Sequence, residues 1–243
     1  MKKLFIYMSF VAATFISCNE DLETEGISTV TYFPDFILTG EDLYVVDLGE
    51  SFTEPGIVVE ERGTQIPFTF NYTGRYTGYS GSVIGTELDE YTLTYSAINS
   101  DGFPSTRSRT IARIPTGDFE SSIEGAYLSS IVRVDDEEYS DLMVLVTEVE
   151  PGVFQVSCAL GGFYADGRGL GDDFLVHGFE ITVNDLSTGD FTYEGDVVRG
   201  DGIEMAVSDV HIDTETRTIS FKTTTGAFAN GEWDVTLTQV QPD

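Results

Sequence analysis

The stretch Tyr91-Thr92-Leu93-Thr94-Tyr95-Ser96-Ala97-Ile98-Asn99-Ser100-Asp101-Gly102 decides how this chain folds. Tyr91, Leu93, Tyr95 and Ala97 alternate with Thr92, Thr94 and Ser96. A period of two puts the first set on one face of a β-strand and the second on the other, so one face packs a core while the other stays wet. Asp101-Gly102 supplies the positive φ that a tight hairpin turn needs before the next strand. Outward from this stretch, within residues 29–114, similar β-branched and aromatic runs lie at 43–48, 57–60, 67–72 and 106–114, and none sustains a helical period. Residues 115–118, Pro115-Thr116-Gly117-Asp118, break the pattern as an interdomain linker does. A second series fills residues 119–243, with runs at 127–134, 142–148, 153–159, 174–183, 190–193, 204–210, 218–223 and 233–239. The chain is therefore expected to be all-β: a β-sandwich, then an antiparallel barrel or sandwich of about eight strands. Trp233 alternates with Val235 and Leu237 and is expected in the second core.

At the N-terminus Lys2 and Lys3 precede an apolar run from Leu4 to Ile16 that leads into Ser17-Cys18. Thirteen residues, at about 1.5 Å of helical rise each, fall well short of a hydrocarbon core of roughly 30 Å. Residues 1–17 thus read as a signal peptide and not as a membrane span. Ser17 and Ile16 before Cys18 resemble the lipobox of bacterial lipoproteins, with Phe15 where that pattern usually has Leu. The resemblance implies that Cys18 is lipidated; an ordinary secretory signal with a chance Cys is the alternative. At about 0.8 kcal/mol per buried CH₂, more than one acyl chain makes a stable membrane anchor. Residues 18–28 hold Asn19-Glu20-Asp21-Leu22-Glu23-Thr24-Glu25-Gly26, an acidic tether with little to pack. That stretch resembles the signal that sends lipoproteins of Bacteroidetes to the cell surface, which implies an outer-membrane, lipid-anchored, surface-exposed protein.

Loss of Lys2 and Lys3 takes the formal charge from −30 to −32 and leaves Lys222 as the single lysine. Such a surface repels nucleic acid and favours neutral molecules, cations or basic protein patches. With Cys18 lipidated, Cys158 has no partner for a disulfide, and its place in the run 153–159 marks it as a small buried hydrophobe.

Residues 30–114 resemble the immunoglobulin-like domain of unknown function common in Bacteroidetes surface lipoproteins. The marks are Pro34, Gly40, the run Leu48-Gly49-Glu50-Ser51-Phe52-Thr53-Glu54-Pro55-Gly56, the stretch from Tyr91 to Gly102, and Arg109-Thr110-Ile111. The resemblance implies an immunoglobulin-like sandwich that serves as spacer or binding module. The second series is similar to the C-terminal β domain that accompanies this module in lipoproteins of polysaccharide-uptake loci. There the marks are Ser122-Ile123-Glu124-Gly125-Ala126-Tyr127, Leu160-Gly161-Gly162-Phe163-Tyr164-Ala165-Asp166-Gly167-Arg168-Gly169-Leu170-Gly171, and Gly231-Glu232-Trp233-Asp234-Val235-Thr236-Leu237.

Two segments are candidate binding sites. Tyr76 and Tyr79 lie in the Tyr/Gly/Ser-rich loop after residue 72, and tyrosine faces stack on sugar rings; the plainer alternative lays them on their own sheet. Phe163, Tyr164, Asp166 and Arg168 sit among Gly161, Gly162, Gly167, Gly169 and Gly171, where they either line a ligand site or belong to a loop that closes one barrel end. Catalytic patterns are missing: His177 and His211 are the only histidines, and no His-Glu-x-x-His, Gly-Lys-Ser or Gly-x-Ser-x-Gly motif occurs. Asp166, Asp172 and Asp173 lack EF-hand spacing, and neither metal nor cofactor is expected. The expected function is non-catalytic glycan binding or capture, with polysaccharide or oligosaccharide and outer-membrane transport proteins as partners. A structural or protein-interaction lipoprotein is the alternative.

Overall fold

The computed structural model describes residues 30–242. The signal peptide 1–17, Cys18 and the tether 18–28 lie outside the described residues.

Eight strands form the first unit: β1 (Asp35–Leu38), β2 (Leu43–Val46), β3 (Ile57–Glu61), β4 (Thr64–Gln65), β5 (Phe68–Gly74), β6 (Ser80–Gly81), β7 (Asp89–Ile98) and β8 (Pro104–Arg113). They make two sheets, β1-β3-β4 and β2-β8-β7-β5-β6, with β2 parallel to the end of β8. As the alternation requires, Asp89, Tyr91, Leu93, Tyr95 and Ala97 are buried on β7 while the residues between them are partly open. The hairpin turn falls at Asp101-Gly102, with Gly102 at φ 88°. Tyr72, Tyr91, Leu93, Tyr95 and Ile111 form the core between the sheets, and full burial of an aliphatic side chain of this size contributes about 1.5–3 kcal/mol. Arg109 is only 2 % exposed. Its Nη2 donates to the Thr39 carbonyl at 3.1 Å and lies 3.3 Å from Glu54 Oε1, with the Tyr44 and Tyr95 rings beside it. Arg109 and Glu54 are thus paired inside the domain, with the Arg109 side chain fully enclosed and Glu54 partly open.

The second unit holds β9 (Gly125–Arg133), β10 (Glu138–Glu150), β11 (Val153–Val156), β12 (Val176–His177), β13 (Glu180–Asp185), β14 (Asp190–Glu194), β15 (Asp196–Arg199), β16 (Glu204–Asp213), β17 (Thr218–Thr224) and β18 (Glu232–Gln239). These ten segments occupy eight strand positions, because β12 with β13, and β14 with β15, are each one strand broken near a glycine. Gly178 sits at φ 100°, and at Gly195 a Cβ would meet the Val207 carbonyl oxygen at 2.6 Å. The run 174–183, expected as one strand, begins instead with a 3-10 turn at Asp172–Phe174.

The curled antiparallel sheet closes on itself. Beyond β11 the ladder continues: Val156 N donates to the Phe179 carbonyl and Ala159 N to the Val176 carbonyl, both at 2.9 Å. The other flank of Val176 and His177 pairs with Arg199 and Val198 of β15. The ring runs β9, β10, β11, β12–13, β14–15, β16, β17, β18 and back to β9 through the Trp233↔Arg133 to Gln239↔Tyr127 register. An eight-strand barrel is just wide enough for side chains to fill. Ile131, Val144, Phe154, Ile181, Val207, Phe221 and Trp233 are among those that fill it. Cys158 is buried there too, and burial raises its thiol pKa.

The two units share a small core of Val45, Ala112 and Ile114 on one side and Ala126 and Leu145 on the other. The connecting residues are pinned: Thr116 N donates to Asp47 Oδ1 at 3.2 Å, Gly117 N to the Glu124 carbonyl at 2.7 Å, and Gln239 Nε2 to the Gly117 carbonyl at 3.1 Å. Asp118 Oδ1 accepts from the amides of Glu120, Ser121 and Ser122 at 2.8, 2.8 and 3.2 Å. These backbone bonds, that of Ser121 foremost, hold the carboxyl down to about 2. A depressed pKa stabilises the fold above the ordinary value of 3.8 and stops doing so as pH falls through about 2. Asp118 is exposed, so solvent screens much of this advantage, and Asp118→Ala is expected to cost about 1 kcal/mol at pH 7. Urea midpoints of mutant and parent should converge as the pH is lowered towards 2.

Candidate functional site

Where the two units meet, a crevice forms around the loop that follows β5. Asp89, fully buried, shapes that loop: Oδ1 accepts from Tyr76 N and Glu90 N, both at 2.8 Å, and Oδ2 accepts from Thr77 N at 3.0 Å and from the Thr77 hydroxyl. Gly74 is required here, since a Cβ would lie 2.2 Å from Asp89 Oδ2. The turn projects Arg75 and Tyr76 towards the barrel.

Arg75 is shared by three carboxylates. Its Nη1 donates to Glu90 Oε2 at 3.1 Å, Nη2 to Asp166 Oδ1 at 2.9 Å, and Nε and Nη2 to Asp172 Oδ1 at 3.0 and 2.6 Å. The Arg75 and Glu90 side chains are each 12 % exposed, against 30 % for Asp166 and 55 % for Asp172. Burial raises the Glu90 pKa, and the Arg75 charge offsets only part of the rise. The Tyr76 ring stays partly open while its hydroxyl end lies beside Ser157 of the barrel, and burial there pushes its pKa up to about 12. Beside this cluster lies a cavity of about 400 Å³ with Leu43, Leu128, Leu142 and Met143 among its apolar walls and Asp42 and Asp141 at its rim. A second space of about 320 Å³ on the other side of Arg75 is bordered by Thr73, Thr92 and Asp172. A shallow groove of about 490 Å³ crosses β15 to β17, but it gathers groups from the barrel alone.

The glycine-rich segment has a different role from the one expected for its aromatics. Gly161 and Gly162 adopt φ 60° and 90°, and a Cβ on Gly161 would press on Ile131 at 2.8 Å. This turns residues 163–167, a single π-helical turn, back into the barrel mouth. Phe163 is 0 % and Tyr164 5 % exposed. Their rings pack on one another at 5.1 Å, and each lies 5.9 Å from Trp233. The expectation that Phe163 and Tyr164 line a ligand site is corrected: they plug the barrel, because stacking on Trp233 removes more apolar surface from water than a solvent-facing loop could. Arg168 lies 5.2 Å over Phe163 and 5.0 Å over Tyr164, is ion-paired with Glu137, and covers the plug from the solvent side. Tyr79 lies on its own sheet, edge-on to Tyr91 at 5.8 Å, with its hydroxyl donating to the Val83 carbonyl. Of the six candidate residues, the crevice brings together only Tyr76 and Asp166, through Arg75. Sequence reasoning missed Arg75 and Glu90. The available signal was scarcity: with 12 Lys and Arg against 42 Asp and Glu, an Arg inside a polar loop is the natural focus for several carboxylates. Among the described residues no group of three or more His, Cys, Asp or Glu is arranged to hold a metal ion.

An immunoglobulin-like sandwich packed against a plugged antiparallel barrel defines the class. The family model of the bacterial surface protein Ig-like domain matches residues 36–112, and that of a C-terminal domain family matches residues 116–239. The C-terminal match covers just over half of the chain, which belongs to that family, and the Ig-like match lies ahead of it. Among solved structures it is similar to the lipoprotein BT2262 from Bacteroides thetaiotaomicron, at 24 % identity and a TM-score of 0.57, over 85 % of this chain and 100 % of that one. At that identity the likeness speaks for the fold. No curated protein matches the chain.

Proposed function

We propose that the protein is a non-catalytic lipoprotein, anchored in the outer membrane through Cys18 and exposed at the cell surface, that captures neutral glycan in its interdomain crevice for a polysaccharide-uptake system. The observation that carries this is the cavity of about 400 Å³ between the domains, with an apolar floor and carboxylates at its rim. Ligand sites are typically about 300–1,000 Å³, mostly apolar with a few placed polar groups, and favour domain boundaries. A sugar ring can lay its C–H face on Leu142 and Met143 while its hydroxyls donate to Asp42 or Asp141. The surplus of carboxylates around Arg75 disfavours uronate or sulfated glycans. The lipid anchor is supported by the signal-like N-terminus and by the lipoprotein nature of the similar Bacteroides protein.

Calorimetric titration of the soluble form from residue 26 against a panel of neutral polysaccharides and oligosaccharides tests the binding role. Thr110→Trp, which fills the crevice from the Ig-like side, should weaken binding at least about tenfold, or roughly 1.4 kcal/mol, with an unchanged unfolding midpoint. Absence of binding by the parent protein would sink the proposal. The filled barrel and the shared interdomain core favour a second reading, a rigid spacer or protein-interaction lipoprotein. Retained membrane partners that are lost on deletion of residues 119–243, without any glycan binding, would favour it.

A further inference from the structure

We infer that the pole of the Ig-like domain farthest from the barrel is a membrane-contacting face that rests on the zwitterionic lipid surface beneath the anchor. This rests on the lipid anchor proposed above. Strands β7 and β8 pair along the full length of the domain, from Asp89↔Arg113 beside the barrel to Ile98↔Pro104 at the far end. At that far end Val30, Tyr32, Phe33, Ile98 and Phe103 are 68, 43, 59, 63 and 49 % exposed. Scattered exposed apolar residues need no explanation, but a contiguous group marks a contact surface.

The group is built. Asn99, 5 % exposed, ties its two halves together: Nδ2 donates to the Tyr32 carbonyl at 2.8 Å, and Oδ1 accepts from Phe103 N at 2.7 Å. The Phe33 and Phe103 rings lie 6.2 Å apart, and the Arg62 guanidinium sits 3.8 Å over the Tyr32 ring. Aromatic rings beside an arginine that can direct its charge outward suit the headgroup boundary of a bilayer.

The place of the chain selects the occupant. The described residues begin at Val30, so eleven residues, Asn19 to Thr29, lie between the proposed anchor and this pole. Eleven residues reach at most about 40 Å even when fully extended. The aromatic pole is thus the part of the folded protein held nearest the lipid. Glu61, bound by Ser100 N and Oγ at 2.8 and 2.6 Å, and exposed Asp101 set its charge against a strongly anionic surface.

The test uses the full lipidated protein in phosphatidylethanolamine–phosphatidylcholine vesicles, with a nitroxide on Asp101→Cys or, at the far end of the barrel, on Ala227→Cys. Buried Cys158 should stay unlabelled. Vesicle co-sedimentation reports the anchor, and collisional relaxation by oxygen against a water-soluble nickel chelate reports depth. The oxygen-to-nickel ratio should be several-fold higher at D101C than at A227C. It should fall to the A227C value in the combined Phe33→Ser, Ile98→Ser, Phe103→Ser variant while co-sedimentation persists. An aqueous D101C label on a protein that still co-sediments overturns this inference alone; loss of co-sedimentation overturns the anchor with it. Dipolar broadening between D101C labels without immersion assigns the face to a second copy and overturns it too.

Discussion

Replacing Trp233 by alanine should lower the stability of the protein by about 3–5 kcal/mol, the range for truncating a large buried aromatic. Trp233 is fully buried and takes the centre of an aromatic group in which Phe163, Tyr164 and Phe228 lie 5.9, 5.9 and 6.0 Å from its ring. Removing it leaves the plug without its seat, so the cavity term adds to the transfer term. Urea unfolding followed by far-ultraviolet circular dichroism measures the loss. Trp233→Phe should cost far less, about 1 kcal/mol. It keeps most of the contact, and it removes an indole N–H that has no hydrogen-bond partner among the described residues. A Phe variant as destabilised as the Ala variant would show that the seat depends on the indole itself and not on filled volume.

The second large effect is expected at Arg75. Breaking a fully buried ion pair from one side costs about 3–5 kcal/mol. Here Asp172 is 55 % and Asp166 30 % exposed, so water takes over part of the role of the guanidinium and about 2 kcal/mol is expected for Arg75→Ala. The loss should depend on pH, and its sign follows from Glu90. Burial already holds the Glu90 pKa above its ordinary value of 4.5, with Arg75 pulling it back. A raised carboxyl favours the folded state below the ordinary value and loses that advantage as pH rises through the folded one. Without Arg75 the folded value rises further, so the mutant's deficit should grow between about pH 4 and pH 7. Adding Glu90→Gln should recover part of the deficit at pH 7 and little at pH 4. Because Arg75 joins the two domains, calorimetry should also show the transition of the mutant broadening or splitting. A deficit that does not change with pH would mean that Arg75 acts through packing and not through Glu90.

The alternation of β7, the turn at Asp101-Gly102, the burial of Cys158 and Trp233, and the eight strand positions of the second domain were all legible in the residues. Each is a local property: a period of two assigns a side chain to one face of its own strand, and a glycine of positive φ marks a turn whatever surrounds it. The same locality explains the misplacement of Phe163 and Tyr164. A glycine-rich loop can turn outward to a ligand or inward to a core with the same backbone freedom, and the choice depends on Trp233, Tyr139 and Glu137 arriving from other strands.

Sequence by itself therefore determined the all-β class and the strand faces, because backbone geometry and side-chain period suffice for these. Only the tertiary structure decided that the second sheet closes into a ring, that its mouth is plugged, and that one arginine joins the domains. Closure needs Val176 to meet both Ala159 and Arg199, and the joint needs Arg75 to meet Asp166 and Asp172, 91 and 97 residues away. Such meetings are fixed by the summed packing of the whole chain, which no local pattern encodes.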